Sequence, residues 1–280
     1  MLKTKKYLFV TGASGFIGNS FINKAVKRGY KIFAISRKKK KNKSNNIKWI
    51  KGDLHYNYDK YLKKTDIFVH FASAGVNKKK LSFREAFEVN VLKSYKLLNN
   101  CLKNGCKKWI IISSASEYGK SATYKKELNI NTLTMPESNY EISKNIFSNL
   151  VMSLSNNFNV KARIMRIFNV YGRGENKNKL LSSLNNALKF KKNYIVTSSN
   201  QKKDFINVND VNSILIDSLN FKKNCSRFPQ IWHVASGNSM TVKDFIISKF
   251  KKKDIKKVKF KNTNKFKRHF ISSKNSLWKF

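Results

Sequence analysis

The chain has 280 residues, 41% of them apolar, which is enough for one large domain core and too much for wholesale disorder. Its 59 Lys and Arg against 15 Asp and Glu give a formal net charge of +44, a value that bears on solubility and non-specific anion binding rather than on fold. No apolar stretch approaches the roughly 20 residues that span a bilayer, and the short apolar run at 7–10 leads into a glycine turn instead of a signal-peptide cleavage site.

The first element, residues 7–11, reads as a strand that stops at Gly12-Ala13-Ser14-Gly15-Phe16-Ile17-Gly18, with a helix starting near Gly15. G-x-x-G-x-x-G between a strand and a helix points to a dinucleotide-binding turn, with a ligand-free tight turn as the alternative. Gly12 permits the turn, Gly15 lets backbone approach a phosphate, and Gly18 lets the helix pack closely. The N–H groups of the first helical turn then face a pyrophosphate.

A second strand at 31–36 ends in Ser36-Arg37-Lys38. No acid stands there to bind a ribose 2′-hydroxyl, and the fork of Arg37 suits a 2′-phosphate, so NADP is favoured over NAD. Arg37 is also one basic residue among many, and the run 38–43 reads as a solvated basic loop. A third strand at 47–50 leads to Gly52-Asp53-Leu54, where Asp53 either accepts from an adenine amino group or caps a turn.

A fourth strand at 67–71 precedes a helix over 84–102 with Phe87, Val91, Tyr95, Leu98 and Leu102 along one side. A fifth strand at 109–113 closes on the pair Ser113-Ser114. Ligands of open α/β sheets bind beyond such strand ends, so a hydroxyl there either bonds a reacting oxygen or caps the strand. The helix over 140–154 carries Tyr140 and Lys144 four apart on one face. A free tyrosine titrates near 10, and an ammonium beside it, with the positive charge of a nicotinamide, favours the phenolate and lowers that value. A sixth strand follows at 160–166. Strand-helix alternation over residues 1–168 predicts an α/β fold, a doubly wound Rossmann parallel sheet with helices on both faces.

Cys101, Cys106 and Cys225 are odd in number and lack metal-ligand spacing, which fits a reducing cytoplasm and no metal site. The lysines lie in nearly every loop and helix face without interleaved aromatics, so the charge reads as compositional drift ahead of a nucleic-acid surface.

Nine segments, in order, resemble the extended short-chain dehydrogenase/reductases, the nucleotide-sugar epimerase/dehydratase family. They are TGASGFIG from 11, GDL from 52, HFAS from 70, EVNV from 88, SSASEYG from 113, YEISK from 140, RIFNVYGRGE from 166, QKKDFINVNDV from 201 and WHVASGNSMTV from 232. The resemblance implies an NAD(P)-binding domain over 1–168. It also implies a small C-terminal substrate-binding lobe over 169–280, part of whose residues 205–235 packs back on the Rossmann core. Dinucleotide contacts are implied at Gly12, Gly15, Phe16, Ile17, Gly18, Ser36, Arg37, Asp53, Leu54, Phe71, Ala72, Ser73, Tyr140 and Lys144. Tyr140 becomes the acid/base, Lys144 its partner, and Ser114, four before Tyr118, the hydroxyl that meets the reacting oxygen. Asn90 looks structural and His70 a packing residue.

The family's 4,6-dehydratases carry Asp-Glu after the hydroxyl residue, where this chain has Ala115-Ser116. Its epimerases usually end the second strand in an acid, unlike Ser36-Arg37. The stretches 166–175, 180–184 and 201–204 are similar to nucleotide-sugar 4-ketoreductases. The implied reaction is reduction by NADPH of the C4 keto group of a nucleoside-diphosphate-4-keto-6-deoxyhexose, with substrate contacts at Asn169 and Lys203. Lys203 stands where the family usually has arginine, and lysine cannot form the bidentate fork. The alternatives are an NAD-dependent nucleotide-sugar 4-epimerase and, in another class, a nucleic-acid-binding protein on the same fold. A homodimer through the helices at 84–102 and 140–154, a cytoplasmic location and no membrane partner complete the expectations.

Overall fold

The computed structural model describes residues 6–41, 44–75, 81–223, 227–262 and 268–279; Asn42 and Lys43 of the basic loop and Cys225 lie outside them. Six strands, β1 (Tyr7–Thr11), β2 (Lys31–Ser36), β3 (Ile47–Lys51), β4 (Ile67–His70), β5 (Lys108–Ser114) and β6 (Lys161–Ile167), fall within about a residue of the expected positions. Three short strands follow, β7 (Asn169–Tyr171), β8 (Tyr194–Thr197) and β9 (Lys202–Asn207). Then come β10 (Gln230–Val234), β11 (Ser239–Thr241) and β12 (Val258–Lys261).

The central sheet has seven strands in the order β3-β2-β1-β4-β5-β6-β10, with parallel pairing throughout. Alternate residues of each inner strand serve opposite faces, as a two-residue side-chain period requires. Leu8 and Val10 join one apolar layer while Phe9 joins the other, and Ile110 and Ile112 are likewise separated from Trp109 and Ile111. On one face the helices Phe16–Lys27 and Val208–Asp217 bury Phe21, Ile22, Val211 and Leu215. On the other, Ser94–Lys103 and Asn139–Phe158 bury Leu97, Leu98, Phe147 and Val151. This is the doubly wound parallel sheet, and its strand order reverses between β1 and β4, where a crevice opens beyond the strand ends.

The helix expected over 84–102 is three pieces: Phe83–Phe87, a π-helical turn Glu88–Lys93, and Ser94–Lys103. A π turn winds more residues per turn than an α-helix, so the 3.6 spacing slips across it. Val91 and Leu98 therefore point inward, while Tyr95 is 40% exposed beside Phe83 and Leu92.

After β6 the chain leaves the sheet, forms a three-stranded unit β11-β9-β7 and a pair β12-β8, and returns through β10 to the sheet edge. The small lobe has its own core of Leu184, Val196, Val242, Ile246 and Val258. Arg163 of β6 fastens the return. Its buried guanidinium donates to Gln230 Oε1 at 2.9 Å, to the carbonyls of Ser218 at 2.6 Å and Asn220 at 3.1 Å, and to that of Lys223. It also lies 4.7 Å from the ring centre of Trp278 near the end of the chain.

Several of the scarce acids are engaged inward or in pairs. Asp204 accepts from Ser236 and Gly237, Asp217 holds Lys223 and Trp278, and Asp53 holds Lys93. Among the described residues no helix is long and apolar enough to cross a membrane.

Arg163→Met is expected to destabilise the protein by about 3 kcal/mol, because it orphans several buried carbonyls at once. A urea titration read by tryptophan fluorescence would show the midpoint fall, with the Trp232–Trp278 pair as local reporter.

Candidate active site

The chemistry gathers where β1, β4 and β5 end. Gly12 leaves β1 with φ +62, and a Cβ on it would come within 2.6 Å of the Ala72 backbone nitrogen, so glycine is required on conformation and space alike. The helix that follows begins at Phe16 behind Gly15, with no side-chain cap and no acid in its first turn. The N–H groups that open it are thus left for an anion, and the cradle fits the pyrophosphate of a dinucleotide. Ser36 is buried at the end of β2 and Arg37 is exposed directly after it. Asp53 is half-buried, paired with Lys93 at 3.2 Å and held below the ordinary carboxylate range by hydrogen bonds from Leu54 and Lys93, against the opposing effect of burial.

A polar scaffold fixes the crevice. Thr11 Oγ1 shares a hydrogen bond of 2.9 Å with His70 Nδ1 and accepts from the Ala72 N–H at 3.2 Å. Burial pushes His70 down to about 3, so it is a neutral hydrogen-bonding group near neutral pH. The π turn aims Asn90 at the β4 loop. Its Oδ1 accepts from the Ala74 N–H at 2.7 Å and from Ser73 Oγ at 3.2 Å, and its Nδ2 donates to Ser143 Oγ at 2.9 Å. Phe71 packs on Phe21, 5.1 Å between ring centres, closing the floor beneath the glycine turn.

The helix Asn139–Phe158 opens with a capping box between Ser138 and Glu141. Its first two turns bring Tyr140 and Lys144 to the end of β5. The hydroxyls of Ser114 and Ser73 lie near the Tyr140 phenol and act to lower it. Ser114 Oγ is also 2.8 Å from Ser116 Oγ. Lys144 is buried, and its Nζ donates to the Ile112 carbonyl at 2.7 Å.

The spacing predicted a phenol lowered by its lysine. Among the protein's own groups, burial pushes Tyr140 up to about 12, with Glu117 adding to the rise and the nearby Ser114 hydroxyl opposing it; the expected lowering counts a nicotinamide's charge as well. Burial outweighs the lysine because the Nζ is turned to a strand carbonyl and its own charged form is disfavoured, down to about 8.

The two expected substrate contacts separate. Asn169 donates to the Asp204 carbonyl at 3.1 Å and ties β7 to β9. Lys203 lines a cleft of about 860 Å³ together with Tyr194, Gln201, Arg268 and Phe270. Burial lowers Lys203, helped by the charge of Lys179. Arg268 was not anticipated, because it sits in a lysine-rich end without periodicity. It donates to Glu141 at 3.0 Å and pairs with Glu137, at the start of the helix Asn139–Phe158. Glu117 was also overlooked; it stands in the short turn after β5 among Ser113, Ser114, Ser116 and Tyr118, which drew the reading to the hydroxyls. Among the described residues no group of three or more His, Cys, Asp or Glu could hold a metal ion.

Comparison with known proteins fits this geometry. The chain is 28% identical over 253 residues to CDP-abequose synthase of Salmonella typhimurium, covering 87% of this chain and 79% of that one. It is 26% identical over 264 residues to dTDP-4-dehydro-6-deoxyglucose reductase of Escherichia coli, covering 86% and 80%. The fold superposes with a TM-score of 0.80 on UDP-glucuronic acid 4-epimerase from Bacillus cereus, solved with UDP-glucuronic acid and NAD, at 20% identity over 96% of this chain and 91% of that one. Residues 8–228 match the NAD dependent epimerase/dehydratase family, and with the glycine turn, the seven-stranded parallel sheet and the tyrosine-lysine helix in place, the chain belongs to that family.

Proposed function

We propose that the protein reduces the C4 keto group of a nucleoside-diphosphate-4-keto-6-deoxyhexose at the expense of NADPH. The observation that carries this reading is the Tyr140 phenol, held protonated by burial near the Ser114 hydroxyl at the end of β5, with no carboxylate at positions 115 and 116. Reduction of a ketone consumes a proton, and a protonated phenol is the state that supplies one. Elimination of water from a sugar needs a further acid and base, which Ala115 and Ser116 cannot provide.

When bound, the dinucleotide supplies the hydride for the carbonyl carbon. Tyr140 gives its phenolic proton to the carbonyl oxygen as negative charge develops there, and regains one from solvent after turnover. Ser114 donates a hydrogen bond to the same oxygen, and is already oriented by Ser116. Lys144, fixed to the Ile112 carbonyl, provides the positive charge of the site. Gly12, Gly15, Phe16, Ile17 and Gly18 would hold the pyrophosphate, and Arg37 beyond Ser36 the 2′-phosphate. The cleft lined by Lys203 offers a cation to a nucleoside diphosphate, beside the Arg268–Glu137 pair. The name of the Escherichia coli relative, a reductase of a dTDP-linked 4-dehydro-6-deoxy sugar, supports the same class of substrate. The exposed Phe83, Leu92 and Tyr95 support a homodimer formed through this segment and the catalytic helix.

The test is NADPH oxidation, followed by absorbance, with dTDP- and CDP-linked 4-keto-6-deoxyhexoses. Tyr140→Phe is expected to lower kcat by about 10³-fold while NADPH still binds, as removal of a general acid should. Unchanged turnover would remove Tyr140 from the mechanism. Arg37→Asp is expected to shift preference from NADPH toward NADH by at least about tenfold, the worth of one charge-assisted contact. No oxidation of any substrate, with NAD released on denaturation, would favour the 4-epimerase.

A further inference from the structure

Three residues past Ser114 the chain buries a carboxylate. Glu117 is fully inaccessible, in a short 3₁₀ turn where Ala115 and Tyr118 are buried too. A lone carboxylate in such a place is prohibitively costly, so its partners define its role. Arg166 Nε of β6 donates to Oε2 at 3.1 Å, Ser148 Oγ donates to Oε1 at 2.8 Å, and the Ser113 hydroxyl also reaches Oε1. Burial pushes the Glu117 carboxyl up, and the charges of Arg166 and Lys144 with the Ser148 hydrogen bond oppose that rise. Arg166 is spanned in turn by Tyr118, whose hydroxyl accepts from Nη1 at 2.8 Å and meets His233 at 2.6 Å.

These contacts set the carboxylate against the Lys144 layer. Ser148 lies one helical turn beyond Lys144 on the same face of the helix. Ser113 follows Ile112, whose carbonyl accepts from Lys144 Nζ. That carbonyl brings Lys144 a dipole but no charge. The other groups around the lysine do not supply an anion. His70 of β4 is neutral, Phe147 offers a ring face at 5.9 Å, Tyr140 is a protonated phenol, and Arg166 of β6 is a cation committed to Glu117 and Tyr118. Glu141 at the start of the helix faces Arg268. Glu117 is the carboxylate whose charge acts on Lys144. Two buried cations with no buried anion would be untenable, so Glu117 has to be ionised to offset one of the two charges.

We propose that Glu117 is a positioning residue of the hydride-transfer site, the buried counter-ion that holds the Lys144 ammonium protonated behind Tyr140. Its charge also opposes loss of the Tyr140 proton, so one carboxylate keeps both groups in the protonated state from which reduction starts. This role in turnover rests on the reductase reading; the electrostatic coupling of Glu117 to Lys144 does not.

The test titrates Lys144 directly in the purified protein. Lysine is labelled with ¹³C at Cε, and the Lys144 signal is assigned by its loss in Lys144→Arg. In Glu117→Gln, which keeps an oxygen acceptor for the serines, the Lys144 midpoint is expected to fall by about one pH unit or more, as loss of a nearby opposite charge predicts. The alkaline limb of NADPH-dependent reduction should move to lower pH by the same amount. A role confined to stability would lower Tm and leave the midpoint in place, and an unmoved midpoint overturns the proposal. Should Glu117→Gln fail to fold because Arg166 is left unpaired, Glu117→Gln/Arg166→Gln removes both charges and is expected to shift Lys144 in the same direction. If the wild-type protein reduces no keto sugar, the lysine titration still decides the coupling, and it is the reductase reading that falls.

Discussion

Two-sided burial of the central strands is the constraint from which the site follows. Leu8, Phe9 and Val10 of β1, Phe68 and Val69 of β4, and Trp109 to Ile111 of β5 have no access to solvent. Strands sealed on both faces have nowhere along their length to present a polar group, so chemistry is displaced to where they end. The glycine turn, the Phe71–Ser73 loop and Ser114 all occupy such ends, and parallel pairing of β1 with β4 and β4 with β5 brings the three side by side. The helix that carries Tyr140 and Lys144 has only to cross this common edge.

Displacing polar groups to one edge concentrates buried hydrogen bonds there, and each must find a partner. Thr11, His70, Asn90 and Ser143 meet that demand mutually, and in doing so they hold the β4 loop against the helix that carries Tyr140 and Lys144. The deeper layer of Glu117, Arg166 and Lys144 is of another kind. Buried ion pairs seldom add net stability, since desolvation offsets their attraction. What such a layer contributes is a definite charge state for groups that burial alone would neutralise.

Much of this was legible in the sequence where local pattern and tertiary outcome coincide. The strands 7–11 and 31–36 matched to the residue, because continuous apolar runs bounded by turns admit few readings. The glycine turn was equally plain, since strand, spacing and helix agreed. The helix near residue 90 was legible in extent but not in winding: one extra residue per turn leaves no mark on composition, yet it turned Tyr95 outward and Val91 inward. The rise that burial gives the Tyr140 phenol was not legible, because spacing shows which charges are near and says nothing of how much water is lost. Arg268 and Glu117 escaped for opposite reasons, one lost in a field of lysines, the other overshadowed by the serines and tyrosine of its own motif.

The inward commitment of the acids has an effect beyond the fold. With 59 Lys and Arg against 15 Asp and Glu, and with Asp53, Glu117, Asp204 and Asp217 engaged at internal or paired positions, lysine dominates the outer surface. Both ligands proposed for the crevice are polyphosphates, and both would approach down a long-range positive potential before touching any residue of the site. Dissolved ions shorten the reach of that potential to about 10 Å at 0.1 M. Ionic strength thus becomes a control on how often ligands arrive, acting on association far more than on what the site does once it is filled.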